Sequence, residues 1–177
     1  FHSNHSKAFT GFGKNTKNIL THLHKTGKYD IVEFANGLKW GEEKTKKLPW
    51  KVFGSLPEDP LLLQQLNNDP QLGRAAGYGA IMVHKIIEQE TPDLYIGSED
   101  IWAFKDYTER EWWNKTNCMI WTTLDSLPIL PDAVVKAPQI KNYYVWASFA
   151  EKALHELGHK HVKTLRGSID CSTFFRI

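Results

Sequence analysis

Short, largely apolar runs alternate with amphipathic stretches along this chain, and that alternation limits the folds available to it. The runs show no polar face that would be exposed to solvent, as expected of strands that are buried on both faces of a sheet. Glycine or proline flanks the first two runs, which is typical of strand ends. The predicted strands are YDIVEF (29–34), WKVFGS (50–55), DLYIGS (93–98), MIWTTL (119–124), YYVWAS (143–148) and HVKTL (161–165).

Helical periodicity fills the gaps between these runs. Apolar residues recur on one helical face over 12–23, 76–87 and 146–157. Strand–helix alternation of this kind predicts an α/β fold, namely a three-layer α/β/α domain of Rossmann type with a mainly parallel sheet. The charged, glycine-bounded segment 36–49 breaks the rhythm and predicts a long excursion from the sheet.

Length and composition indicate one folded domain over residues 1–177, since 41% of the residues are hydrophobic. The formal net charge of +2 gives no electrostatic case for a nucleic-acid partner. No apolar run approaches the roughly 20 residues of a membrane-spanning helix. Cys118 and Cys171 are too far apart in sequence for a metal-type pair, which favours a reducing compartment. We therefore expect a cytoplasmic protein that can also lie peripherally at a membrane.

The stretch HELGH at 155–159 matches the H-E-x-x-H pattern of zinc proteases. In that pattern two histidines one helical turn apart bind metal, and the glutamate is the general base. Gly158 follows the last residue of the apolar stripe, however, and predicts a helix end. The extended zinc motif also needs a glycine and a histidine where this chain has Val162 and Leu165. We expect the helix to stop near Gly158 and no metal site, with a zinc protease as an alternative function.

A glycine-rich turn precedes the first amphipathic stretch, in TGFGKNTKNIL at 10–20. Gly11 and Gly13 allow close backbone approach, and free amides at a helix N-terminus attract an anion such as a phosphate. Phe12 lies between the glycines, and Lys14 adds a cation. The turn is neither a P-loop nor a complete G-x-G-x-x-G, so a capped turn without a ligand is the structural alternative.

The order of these features resembles the N-terminal domain of GT-B glycosyltransferases, close to the large retaining family 4. Those domains begin with a strand, a glycine turn like TGFG and a helix, and a strand like KYDIVEF follows. Later segments match in the same order: TPDLYIGSEDIW, MIWTTLDSLPI, YYVWASFAEKAL, and HVKTLRGSID with STFF behind it. The resemblance covers residues 10–175.

The resemblance implies transfer of a sugar from a nucleotide-sugar donor to a glycan or other hydroxyl acceptor, with no cofactor beyond the donor. The chain departs from the family because little sequence precedes the glycine turn, where the first strand belongs. The C-terminal GT-B domain, which binds most of the nucleotide, also has no counterpart. We therefore expect a domain truncated at its first strand that is inactive without that missing domain. A non-catalytic or epimerase-like Rossmann domain is the alternative.

In doubly wound sheets, ligands bind beyond the carboxyl ends of the strands. That edge should collect Asp100 and Asp125 as candidate catalytic carboxylates, and Asp125 stands where many family members have a histidine. An aromatic ring beside carboxylates suits a sugar, which has an apolar face and a polar rim. Trp102 can instead pack in the core, Asp125 can shape a turn, and Ser148 can cap its helix. The expected substrate-binding residues are Gly11, Phe12, Gly13, Lys14, Glu99, Trp102, Ser126 and Ser148.

Overall fold

The computed structural model describes residues 1–42, 47–104, 106–169 and 171. Its strands are β1 His2–Asn4, β2 Val32–Lys39, β3 Lys51–Leu56, β4 Tyr95–Gly97, β5 Cys118–Thr122, β6 Asn142–Val145 and β7 Lys163–Thr164. Its helices are α1 Gly11–Lys25, α2 Pro60–Asn68, α3 Pro70–Gly77, α4 Val83–Glu90, α5 Pro131–Lys136 and α6 Ser148–Glu156. Short 3₁₀ helices cover Ile101–Phe104, Tyr107–Glu109, Glu111–Asn114 and Ala137–Gln139.

The strands form one seven-stranded sheet in the order β3-β2-β1-β4-β5-β6-β7, and the neighbouring strands pair in parallel. From β1 the chain steps outward to β3, and from β4 it steps outward in the opposite direction to β7. Because crossovers between parallel strands are right-handed, the two directions place helices on opposite faces. The predicted three-layer, Rossmann-like α/β fold is therefore confirmed.

Each predicted strand overlaps a strand of the sheet, although most boundaries move by one to three residues. The expected excursion over 36–49 is wrong in its first part, because β2 continues through Lys39 and shifts register against β3 between Ala35 and Lys39. The rest of that segment lies partly outside the described residues. The strand that the family resemblance places before the glycine turn is present as β1, which pairs with both β2 and β4.

The apolar stripe over 76–87 is divided between two helices rather than forming one. Gly79 interrupts it with φ 87°, a left-handed conformation that favours glycine. A Cβ at this position would also lie 2.7 Å from the Phe34 ring and 2.8 Å from the His2 ring. The turn between α3 and α4 therefore presses against β1 and β2, and only a glycine fits there.

Capping explains why the connecting helices begin where they do. Asp59 and Asp69 accept hydrogen bonds from backbone amides at the starts of α2 and α3, and each is followed by a proline at the first helical position. Thr10 caps α1 by accepting from the Gly13 amide at 3.0 Å. Among the described residues, no helix is both long enough and apolar enough to cross a membrane.

Buried apolar side chains form a large cluster and a smaller one. The large cluster joins the sheet to α4, α5 and α6 and includes Ile86, Ile120, Tyr143 and Leu154. The smaller cluster contains Ala35, Leu38 and Val52. Several buried polar residues sit near the middle of the sheet, at β1 and at the segments that follow β1 and β4: His2, Ser3, His5, Ser6, Ser98 and Glu99.

Candidate functional site

The strand order reverses direction between β1 and β4, which makes their carboxyl ends the switch point of the sheet. In open α/β sheets such a switch point is where ligands bind. Here the two strand ends are joined tightly, because the Ser98 amide donates to the His2 carbonyl at 2.8 Å. The Ser3 hydroxyl also donates to the Ser98 carbonyl at 2.6 Å. The residues that follow β4 therefore leave the sheet from a rigid base.

Glu99 is the buried carboxyl group at this point, with 2% of its surface exposed. Its Oε1 accepts from the Asn4 amide at 2.9 Å and from Asn36 Nδ2 at 3.0 Å. Burial raises the pKa of Glu99 to about 7, although hydrogen bonds from Asn36 and Asn4 favour its charged form. Because Oε1 accepts two N–H bonds, the proton at lower pH belongs on Oε2.

A chain of buried hydrogen bonds leads from the core to Glu99. His2 Nδ1 lies 2.6 Å from the Tyr95 hydroxyl, and His2 Nε2 lies 2.7 Å from Asn36 Oδ1. Burial lowers the pKa of His2 to about 3, so its ring is neutral. Since Asn36 donates to Glu99 through Nδ2, its Oδ1 must accept from His2 Nε2–H, and Tyr95 must then donate to Nδ1. This sequence of bonds fixes the His2 tautomer and holds Asn36 against Glu99.

Beyond Glu99, the loops after β4 and β5 surround a cavity of about 250 Å³. Asp100, Trp102, Asp125 and Ser126 line it together, with Ile101, Thr123, Leu124 and Leu130. The Thr123 hydroxyl donates to Asp100 Oδ1 at 2.5 Å and joins the two loops. The structure therefore brings together four of the predicted site residues, at the edge where the sequence placed them. Glu99 is instead buried and bonded to β1 and β2.

Trp102 lies between that cavity and a larger one of about 670 Å³. The Arg74 guanidinium is 4.2 Å from the centroid of the Trp102 ring, and the Tyr78 ring meets it edge-on at 4.7 Å. Gln71, Asp106 and Glu109 complete the polar part of the larger cavity. Trp102 is half-buried, and it lines cavities instead of belonging to the buried core.

The glycine-rich segment differs from the predicted loop, because Gly11–Lys14 form the first turn of α1. A Cβ on Gly13 would overlap the backbone carbonyl oxygen of Ala8 and lie 2.9 Å from that of His5. The close approach that Gly13 permits is therefore made by the chain itself. Gly11 is exposed, and an added Cβ there would meet nothing within 4 Å. Of the two glycines, only Gly11 therefore leaves space beside the backbone for a ligand.

The neighbours of the glycines face other partners. The Phe12 ring packs edge-on against Trp146 at 5.5 Å, so it helps to seat α1 on the sheet. Lys14 is exposed, and its ammonium lies 4.4 Å from the centroid of the Phe9 ring. Ser148 is exposed and begins α6, but the N-cap position belongs to Ala147 and no side chain caps this helix. The capping role considered for Ser148 is therefore wrong.

The HELGH stretch ends a helix, as Gly158 predicts. α6 stops at Glu156, and Gly158 has φ 97°. His155 Nε2 lies 2.7 Å from the Val162 carbonyl oxygen and thus ties the end of α6 to the chain entering β7. Because the helix ends before His159, the two histidines of the motif do not share a helical face. Within the described ranges, no group of three or more His, Cys, Asp or Glu side chains could hold a metal ion.

The sequence did not predict several residues that contact the predicted site residues at the carboxyl edge of the sheet. Asn36 belongs to a segment predicted to leave the sheet, and β1 is too polar to resemble a buried strand. Arg74 lies in α3 and Tyr78 directly follows it, and the start of this helix is marked only by Asp69 and a following proline. The Asp–Pro signal predicts a helix start, but nothing local indicates that this helix lies beside Trp102.

No protein-family model matches this chain, and no curated protein matches its sequence.

Proposed function

We propose that this chain is the acceptor-side domain of a glycosyltransferase, which moves a sugar from a nucleotide-sugar donor to a hydroxyl acceptor. The observation that carries the proposal is the cavity beside the switch point, which Asp100, Asp125 and Ser126 line together with Trp102. Carboxylates and a hydroxyl can bond to sugar hydroxyls, while the indole packs on the apolar face of the ring. The order of sequence features that resembles family 4 supports the same assignment.

The size of the cavity supports a site that is completed by another domain. Its volume of about 250 Å³ is below the range of about 300–1,000 Å³ that is usual for complete ligand sites. A cleft between two domains would present such a partial surface on each side. We therefore assign the missing wall, and most contacts to the nucleotide, to a C-terminal GT-B domain.

The start of α1 supplies the groups for the donor diphosphate. α1 is 15 residues long, and its N-terminus follows β1 at the carboxyl edge of the sheet. Amides at a helix N-terminus carry partial positive charge and bind phosphate oxygens. The open space beside Gly11 leaves room for such an approach. Lys14, one turn further along, adds a positive charge.

The turnover of the protein that contains this domain tests the role of Asp125. Asp125→Asn keeps the side-chain shape and removes the charge. If Asp125 orients a sugar hydroxyl or stabilises positive charge in the transition state, turnover should fall by about 30- to 1000-fold, which corresponds to about 2–4 kcal/mol. Asp132→Asn, at an exposed acid in the first turn of α5, is the matched control and should keep normal turnover. Near-normal activity in Asp125→Asn would remove Asp125 from the site.

The proposed division between two domains has a separate test on this chain alone. Because most donor contacts are assigned to the other domain, nucleotide sugars should bind the isolated chain only weakly. Isothermal titration calorimetry with a panel of nucleotide sugars measures this directly. Micromolar binding would contradict the division, even if the transferase assignment were correct.

A further inference from the structure

A second groove runs along one side of α1. Its floor and walls are the segment 6–9, the exposed face of α1 and the segment 48–50, and it encloses about 620 Å³. On α1 the lining residues recur at the spacing of a helical face: Lys14, Lys17, Thr21, His24 and Lys25. We call this feature the α1 groove. It shares Lys14 with the donor site proposed above, but none of its lining residues lines the cavity beside Trp102.

The α1 groove concentrates positive charge in a chain whose formal net charge is only +2. Lys7, Lys14, Lys17 and Lys25 line it, and no aspartate or glutamate among the described residues does. Among the described residues, none of these lysines pairs with a carboxylate. The Lys7 ammonium instead donates to the Lys47 carbonyl at 3.3 Å. Like charges along one groove repel one another, and a bound anion would relieve that repulsion.

The wall opposite α1 is apolar and held in place. Leu48 and Trp50 are half-buried there, and Phe9 on the adjoining segment is 93% exposed. Trp50 is fixed because its indole N–H donates to Glu33 Oε2 at 2.7 Å. Glu33 itself is fully buried and accepts from Ser6 as well, so it holds Trp50 from behind without lining the groove. The groove thus combines a cationic side with a preformed apolar side.

We propose that the α1 groove is a binding site for an organic phosphate with an apolar body. Lys14 and Lys17 hold the phosphate oxygens on one side of the groove, and Lys7 closes on them from the other. Trp50 and Leu48 contact the apolar part of the ligand. This assignment rests on the groove alone and does not depend on the transferase function. The same chemistry occurs in a free amphiphilic phosphate and in the headgroup of an anionic lipid.

Binding measurements with defined probes test the site. Inorganic tripolyphosphate probes the charge alone, and 1-naphthyl phosphate probes a phosphate joined to an apolar ring. Vesicles of phosphatidylcholine with and without phosphatidic acid probe the lipid source. We expect 1-naphthyl phosphate to shift the Trp50 indole N–H resonance and to bind more weakly as salt concentration rises. Binding only to the phosphatidic acid vesicles would also support the site and identify a headgroup as its ligand.

Reversing the charge of groove lysines distinguishes binding at a specific site from general electrostatic attraction to the protein. Lys14→Glu with Lys17→Glu should weaken phosphate binding by about tenfold or more. Lys141→Glu with Lys152→Glu changes the net charge equally at exposed lysines outside the groove, and it should leave binding nearly unchanged. All these lysines are exposed, so both variants should keep the thermal midpoint of the parent chain. Equal weakening in both variants, or no binding of any probe, would overturn the proposal.

Discussion

Two buried glutamates lie on either side of β1, one on β2 and one just after β4, and their surroundings differ. Glu33 on β2 is 0% exposed, and Glu99 after β4 is 2% exposed. Glu33 accepts hydrogen bonds on both oxygens, from the amide and hydroxyl of Ser6 at 2.6 and 2.9 Å and from Trp50 at 2.7 Å. Glu99 accepts the Asn4 and Asn36 hydrogen bonds on one oxygen.

The difference shows that burial alone does not decide what a carboxyl group does. Glu33 connects β2 to the segment after β1 and to Trp50, so it acts as an anchor. Burial outweighs the hydrogen bonds at Glu99, and its pKa rises to about 7. Glu99 can therefore change its charge near neutral pH beside the cavity that holds Asp100. A group of this kind, next to polar residues in a cleft, is typical of functional sites.

Removing the anchor should give the largest effect on stability. Glu33→Ala leaves the Ser6 amide, the Ser6 hydroxyl and the Trp50 indole without their acceptor. Each unsatisfied buried donor costs about 1–3 kcal/mol, so we expect a loss of about 3–5 kcal/mol in the free energy of unfolding. Urea denaturation measures it. Glu156→Ala, at an exposed position, is the control and should stay within about 0.5 kcal/mol. A similarly small loss for Glu33→Ala would contradict its role as an anchor.

Glu99 should instead make the free energy of unfolding depend on pH. Its folded-state pKa of about 7 exceeds the ordinary value of 4.5. Ionisation therefore opposes folding, and stability from this group is lost as pH rises from 4.5 to 7. At 1.36 kcal/mol per pKa unit, the loss approaches about 3 kcal/mol.

Glu99→Gln removes the titration and keeps a hydrogen-bond acceptor. The stability difference between the variant and the parent should therefore move by up to about 3 kcal/mol in favour of the variant between about pH 4.5 and 8. His2, whose lowered pKa makes stability fall as pH drops below 6.5, contributes equally to both proteins and cancels. A difference that does not vary with pH would show that Glu99 keeps an ordinary pKa.

The two glycines at the start of α1 differ in the same way, because Gly13 packs against neighbouring backbone and Gly11 faces open space. Gly13→Ala places a methyl group against the Ala8 and His5 carbonyl oxygens. We expect a loss of about 1–3 kcal/mol in the free energy of unfolding. Gly11→Ala meets open space and should change stability by no more than about 0.5 kcal/mol. Thermal unfolding of the pair decides between these roles, and equal losses would mean that the packing around Gly13 does not distinguish them.

Asp125→Asn should have little effect on stability. Asp125 is exposed, so we expect a change within about 0.5 kcal/mol in the free energy of unfolding. Its proposed contribution is to the ligand and not to the fold. A loss above about 2 kcal/mol would instead assign Asp125 to the structure of the loop after β5.

The architecture could be predicted from local pattern, because apolar runs and helical stripes alternate along most of the chain. The parallel-sheet rule also placed Asp100, Asp125 and Trp102 at one edge before any contact was known. The split at Gly79 could not be predicted, since it depends on how closely the turn meets β1 and β2. The bonds from His2 through Asn36 to Glu99 join residues 34 and 63 positions apart. No periodicity within a segment reports such contacts.

Titration of this chain with monosaccharides and oligosaccharides tests most directly whether the cavity around Trp102 binds sugar. The observable is the NMR resonance of the Trp102 indole N–H, together with the backbone amides of Asp100, Asp125 and Ser126. We expect these resonances to shift together and saturably, and Trp102→Ala to abolish the shifts at the other positions. Saccharides that leave these resonances unchanged, or that shift only distant surface residues, would contradict a sugar site at the carboxyl edge.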